Sequence, residues 1–277
     1  MSIELGKFNQ LEVVKEVDFG VYLDGGEEGE ILLPTRYVPE DCKIGDFLNV
    51  FLYLDMDERL IATTLTPLVQ VGQFACLEVS WVNQYGAFLN WGLMKDLFVP
   101  FSEQKMKMQV GRKYVVHAHL DEESYRIVAS AKVERYLSKE KPEYTPEAEV
   151  NILIWQKTDL GFKAIIDNKY SGLLYENEIF CPLETGMEMK AFVKQVRPDG
   201  KIDLILQKPG AAKVDDFASS LLDYIKEHGG AVKLNDKTPA DDIYQIFGVS
   251  KKTFKKAVGD LYKKHLIVLT DNGLKLA

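Results

Sequence analysis

Apolar and polar residues alternate in short stretches over most of the chain, the period-2 pattern of half-buried strands, and the alternation recurs at fixed distances. Gly20 and Gly45, Gly86 and Gly111, and Gly161 and Gly186 are each 25 residues apart. The first glycine of each pair is framed by Phe19 and Val21-Tyr22-Leu23, by Tyr85 and Ala87-Phe88-Leu89, and by Leu160 and Phe162-Lys163-Ala164. Nine and seven residues ahead of it stand Leu11 and Val13, Leu77 and Val79, and Ile152 and Ile154. Fourteen residues after it come Pro34, Pro100 and Tyr175, each behind an apolar run. About forty residues after it a basic residue, Arg59, Arg126 or Lys201, leads into a last apolar segment. Agreement along the whole segment marks a repeat rather than a chance match of glycines. Five short strands in roughly 60 to 65 residues suit a small closed Greek-key barrel of the OB type. The expected organisation is mainly β: barrels over residues 1–66, 67–131 and 148–208, with a charged linker over 132–147 that opens as a short helix before Pro142 and Pro146 stop it.

After a break at Gln207-Lys208-Pro209-Gly210 the apolar spacing becomes helical. Phe217, Leu221, Leu222 and Ile225 make one face, ended by Gly229-Gly230. A strand-like Ala231-Val232-Lys233-Leu234, a helix from Pro239, a turn at Gly248-Val249 and a helix that Ser250 can cap follow. The last helix buries Phe254, Ala257, Val258 and Leu261, and the turn Asp271-Asn272-Gly273 closes a hairpin. Helix, strand, helix, turn, helix and hairpin over 213–277 describe an α+β winged helix-turn-helix domain.

Charge sharpens the boundary. The chain carries −8 in all, from 23 basic and 33 acidic residues over 1–212 (−10) and 11 against 9 over 213–277 (+2). An acidic protein does not coat nucleic acid by bulk charge, so any such binding depends on local placement. Cys42, Cys76 and Cys181 are odd in number and in no CxxC pair, as reduced thiols are. The first residues show no basic-then-apolar leader and no apolar run approaches the ~20 residues of a membrane span. A cytoplasmic protein with no membrane contact is expected.

The aromatic residues around the barrel glycines are the sharpest candidates for chemistry. A glycine inside a strand often marks a bulge or bend, which would bring Phe19 and Tyr22, or Tyr85 and Phe88, onto one surface where rings can stack on unpaired bases. Aromatic residues in strands are ordinarily core, and spacing alone leaves both placements open. The sequences Phe-Gly-x-Tyr and Tyr-Gly-x-Phe, with a basic residue opening the last strand, resemble the RNA-binding motif of S1-type domains. Asp55 and Arg59 match the acidic and basic residues that such domains carry on the RNA face, as do Asp121 and Arg126 with one extra residue between them, while the third copy has Arg197 and Lys201. Many S1-type domains have a histidine where this chain has Pro34 and Pro100; only Tyr175 offers a ring there. The third copy also has Leu160 and Lys163 in place of the aromatic pair. The first two barrels are therefore the candidates for stacking, and the third for a mixed patch of Lys163, Tyr175, Arg197 and Lys201. As a whole, three S1-type units and a winged helix resemble the conserved virulence factor B (YitL) family of bacterial proteins. That resemblance implies an RNA-binding regulator without a catalytic site, whose winged helix adds to binding. The expectation drawn here is a post-transcriptional regulator with no cofactor, whose partners are single-stranded RNA and other RNA-associated proteins.

The last helix presents Lys251, Lys252, Lys255, Lys256, Lys263 and Lys264 against the single acid Asp260. Such a face can track phosphates, though a solvated exterior is the usual fate of lysines, and with no Arg in 213–277 base reading of duplex DNA is not expected. His117 and His119 share a strand face but lack a nearby third ligand for a metal. A Walker loop, a nucleophile elbow, an HExxH pair and a Ser/His/Asp set are not found. Two other readings remain at this point: an adaptor whose acidic barrels bind proteins, and an RNA-processing enzyme.

Overall fold

Leu11 and Val13, Leu77 and Val79, and Ile152 and Ile154 all point into barrel interiors, where none is more than 4% exposed. The computed structural model describes residues 3–179, 181–207, 212–270 and 273–277. Among these, the first 15 strands close into three five-stranded barrels. The first is built from β1 (Phe8–Val17), β2 (Gly20–Asp24), β3 (Glu30–Pro34), β4 (Phe47–Leu54) and β5 (Leu60–Thr63). The second has β6 (Phe74–Val82), β7 (Gly86–Asn90), β8 (Leu97–Pro100), β9 (Lys113–Leu120) and β10 (Ile127–Ser130). The third has β11 (Glu149–Thr158), β12 (Gly161–Ile166), β13 (Tyr170–Tyr175), β14 (Glu188–Val196) and β15 (Ile202–Ile205). All share one strand order, β1-β2-β3-β5-β4 in the first barrel, with β4 returning to β1 and a parallel pair between β3 and β5. Closing the sheet removes its edges, as OB-type barrels do.

The fourteen-residue spacing is strand register: Gly20 faces Pro34, Gly86 faces Pro100 and Gly161 faces Tyr175. A Cβ added to Gly20 would lie 2.2 Å from the Leu33 carbonyl oxygen, and one on Gly161 2.0 Å from that of Leu174. Only a residue without a side chain lets the strands meet so closely. One expectation is corrected. The glycine opens its strand instead of bulging it, and the bulge lies in the facing strand, between Val13 and Lys15, Val79 and Trp81, and Ile154 and Gln156. That strand pairs on both sides and must bend for the barrel to close, which an extra residue permits.

The chain divides into two units, one running to Lys139 and taking in Thr185–Met187, the other comprising Glu140–Glu184 and Glu188–Ala277. In the first, β4 is apolar on both faces because both are covered. Val50 and Leu52 fill the first barrel, while Phe51 and Tyr53 join a cluster with Val69, Leu77 and Trp91 of the second. Phe51 meets Trp91 edge-on at 5.7 Å. A backbone bond from Val71 N–H to the Gly6 carbonyl reinforces the joint. The opening of the charged stretch forms a 3-10 turn at Val133–Arg135, with Val133 buried and Tyr136 stacked 4.1 Å from His117. It thus packs on the second barrel.

In the second unit, α1 (Ala212–Glu227), β16 (Ala231–Val232), α2 (Ala240–Phe247), α3 (Lys251–Lys263), β17 (Ile267–Thr270) and β18 (Gly273–Leu276) make the winged helix, with sheet order β16-β18-β17. Phe217, Leu221, Ile225, Ile243, Phe254, Ala257 and Leu261 form its core. Pro239 precedes α2 rather than opening it, Gly248 ends α2 in a left-handed turn, and Ser250 Oγ accepts from the Thr253 amide at 3.2 Å to cap α3. Lys208, Pro209 and Gly210 of the expected break, and Asp271 and Asn272 of the expected turn, lie outside the described residues. The chain is mainly β with a winged helix, and no helix among the described residues is long and apolar enough to cross a membrane.

Candidate nucleic-acid interface

Alternation along β2, β7 and β12 decides where the rings go. Val21 and Leu23, Ala87 and Leu89, and Phe162 and Ala164 face inward. Tyr22, Phe88 and Lys163 therefore face outward, half-buried. Phe19, Tyr85 and Leu160 stand just ahead of the strand and are 57%, 65% and 63% exposed. Phe19 and Tyr22 meet edge-on with centroids 6.4 Å apart, and the Lys15 ammonium sits 5.3 Å from the Tyr22 ring. In the second barrel Trp81 stacks on Phe88 at 3.7 Å and 2°, and Phe98 leans against the Phe88 ring at 4.9 Å. Trp81 Nε1 donates to Asp96 at 3.0 Å, which fixes the indole.

Each barrel places its last-strand cation among acids. Arg59 binds Asp55 at 3.0 Å and Asp57 at 2.8 Å. Partial burial works against the charge on Asp55, but hydrogen bonds from the Arg59 backbone and side chain hold its carboxyl below the usual range. The matching acid of the second barrel serves differently. Asp121 accepts from Ser124, which lowers its pKa, while Arg126 reaches Glu58 of the first barrel at 2.9 Å. In the third barrel Arg197 binds the buried Asp203 at 2.9 Å and donates to the Tyr175 hydroxyl, and Lys201 pairs with Asp199 at 3.1 Å. Lys163 lies 5.1 Å from the Trp155 ring. Tyr175, Arg197 and Asp203 thus form one cluster, with Lys163 one strand away on the hydrogen-bonded neighbour.

Between the first two barrels is a cleft of about 450 Å³, within the ~300–1,000 Å³ range of ligand sites. Tyr85, Phe88, Phe98 and Arg126 of the second barrel line it together with Tyr53 and Glu58 of the first. Lys95 spans it, donating to the Asp55 carbonyl at 2.8 Å and to Glu58 at 3.1 Å. Trp81, Phe98, Lys95 and Glu58 were not among the sequence candidates. Trp81 is legible in hindsight as the residue after the bulge. The cleft depends on how two repeats meet, which repeat alignment does not encode.

On α3, Lys252, Lys255 and Lys256 are exposed, Lys251 is half-buried and Lys264 pairs with Asp260 at 2.7 Å. His117 and His119 do share a face, but it is covered by Tyr136, whose hydroxyl lies 3.1 Å from His119 Nε2. Burial and then the neighbouring His119 push the His117 imidazole down to about 4, against a hydrogen bond at the Gly72 backbone that raises it. Among the described residues no group of three His, Cys, Asp or Glu is placed to hold a metal.

A family model described as an S1 domain matches residues 5–65, and one described as a CvfB-like winged helix domain matches residues 219–276. The chain is similar over most of its length to proteins named YitL and conserved virulence factor B. YitL of Bacillus subtilis (strain 168) is 29% identical over 272 residues, 95% of this chain and 90% of that protein. Conserved virulence factor B of Staphylococcus epidermidis is 22% identical over 272 residues, 95% and 91% of the two chains. The crystal structure of a multidomain protein with nucleic acid binding domains from Streptococcus pneumoniae is 24% identical, covers 99% of this chain and 98% of that one, and has a TM-score of 0.44.

Proposed function

We propose that the protein is a cytoplasmic, non-catalytic post-transcriptional regulator that binds single-stranded RNA. The observation that carries the reading is the outward placement of Phe19, Tyr22, Tyr85 and Phe88, with Lys15 beside Tyr22 and Arg126 and Lys95 in the cleft that Tyr85 and Phe88 line. Exposed rings beside cations suit unpaired nucleotides, because every base has a face to stack and every linkage a charge to hold. The S1 match supports nucleic-acid binding in general, and the aromatic platforms favour single strands. Arg59, Arg126, Arg197 and Lys201 are held by carboxylates before any ligand arrives, so phosphate must compete for them. Binding is accordingly moderate and selective in an acidic protein, and the lysines of α3 add a phosphate-tracking surface.

The test is fluorescence anisotropy with a labelled single-stranded RNA of about ten nucleotides, titrated over salt and challenged with the same sequence as a duplex. Engagement of three phosphates gives a slope of about −2 in log K against log salt, and the duplex competes poorly. Equal competition by the duplex would refute the stacking mechanism. The charge of −10 over residues 1–212 keeps one rival specific, an adaptor that binds RNA-associated proteins. A partner retained after ribonuclease treatment, with no oligonucleotide affinity, would favour it.

A further inference from the structure

The cleft between the first two barrels has an unusual wall. Glu58 is a first-barrel side chain, yet both its carboxylate oxygens are held by the second barrel, Oε1 by Lys95 at 3.1 Å and Oε2 by Arg126 at 2.9 Å. An ionised carboxylate offers about four acceptor positions, so two remain after these bonds. The backbone at Glu58 is left-handed, with φ of 63°, a conformation an L-residue adopts at a cost. The matching residue of the third barrel is Gly200, with φ of 80°, so the turn does not need a side chain there. The rings of Tyr85, Phe88 and Phe98 line the same cleft as the carboxylate. The cleft therefore joins a stacking surface to an acceptor pair, with cationic donors at the same edge.

We infer that this cleft takes a single unpaired guanine base, stacked on the Phe88 side and read by Glu58. Among the bases guanine alone presents two adjacent donors, N1–H and the exocyclic amine, which match two carboxylate oxygens. Its O6 and N7 acceptors suit the remaining donors of Lys95 and Arg126. Adenine and uracil offer no such paired donors. Glu58 is thus a specificity-determining residue, and the site is complete only when both barrels are present. The inference rests on the single-strand reading and narrows it from any base to one.

The experiment uses the full chain and three oligouridylates of equal length: unmodified, with one central guanosine, or with one central adenosine. The guanosine strand is expected to bind at least about tenfold more tightly than the other two. Glu58→Gln, which keeps size but removes the paired acceptors, brings the affinities of the three strands within about twofold of one another. Glu58→Gly, whose backbone accepts the left-handed turn without strain, repeats that loss and separates it from misfolding. Measurable but equal affinity for all three strands, or a guanosine preference that survives both substitutions, overturns the guanine pocket and leaves single-strand binding standing. Guanosine monophosphate is the other arm. If it quenches tryptophan fluorescence in the parent and not in Glu58→Gln while no strand binds, the pocket stands and the single-strand reading falls. If neither the strands nor the nucleotide bind, both fall.

Discussion

The residue directly ahead of the last-strand cation has a left-handed backbone in every barrel, with φ of 63° at Glu58, 55° at Tyr125 and 80° at Gly200. At Tyr125 the turn is held by a bond from its own N–H to the Asp121 carbonyl at 2.9 Å and another from the Asp121 N–H to the Arg126 carbonyl at 2.9 Å. Its side chain is 73% exposed, so little packing is lost when it is removed. A left-handed L-residue costs about 1–2 kcal/mol, and glycine at such a site returns about 0.5–1 kcal/mol of that gain through the freer unfolded chain. Tyr125→Gly should therefore raise stability by about 0.5–1 kcal/mol, which for a unit of this size is an increase in Tm of about 1–4 °C. Thermal melts followed by tryptophan fluorescence measure it. A lower midpoint would refute the reasoning by showing that the ring makes contacts worth more than the strain. The same substitution removes a ring beside Arg126 and should weaken RNA binding by up to about 1–3 kcal/mol. Gain of stability with loss of affinity is the signature of a side chain kept for binding.

Other expectations follow from single contacts. Gly161→Ala places a Cβ 2.0 Å from the Leu174 carbonyl, and with the backbone unable to give way it should cost more than about 2 kcal/mol, read as loss of the third barrel's protection in hydrogen exchange. Ser250→Ala removes the cap on α3 and should cost the winged helix about 1 kcal/mol in urea unfolding. Trp81→Leu leaves Phe88 without its stacked partner and should cost about 0.5–1.5 kcal/mol beyond the area lost, as well as weakening RNA binding. His117 is neutral in the folded protein at pH 7 because its pKa is about 4. Between about 6.5 and 4 the unfolded chain takes up a proton that the folded one does not, so stability falls as pH falls through that window, by at most about 1.4 kcal/mol per pH unit, and levels off below it. His117→Phe should remove that part of the fall in urea midpoint between pH 7 and 4.5, and an equal fall in parent and variant would contradict the assignment.

The barrels were legible because closure imposes the same demands three times. Gly20, Gly86 and Gly161 sit where strands touch, and Pro34, Pro100 and Tyr175 are their register partners. The outward position of Tyr22 and Phe88 could be anticipated only through the resemblance, since aromatic residues are equally at home inside a strand pair. Phe51 and Tyr53 show why composition misleads in the other direction: they point out of their own barrel and are buried by its neighbour. Glu58 could not be found from the repeat, because its partners Lys95 and Arg126 belong to the next copy. Local periodicity encodes each barrel, whereas the contact between barrels depends on how side chains of one copy meet those of the next.

The central claim is that outward rings grip unpaired nucleotides, and the most direct measurement is the affinity of a single-stranded RNA for the parent and for the Tyr85→Ala, Phe88→Ala double variant at one salt concentration. Loss of two stacking surfaces predicts a weakening of about 2–6 kcal/mol with an unchanged salt slope. A double variant that folds and binds as tightly as the parent would contradict the account.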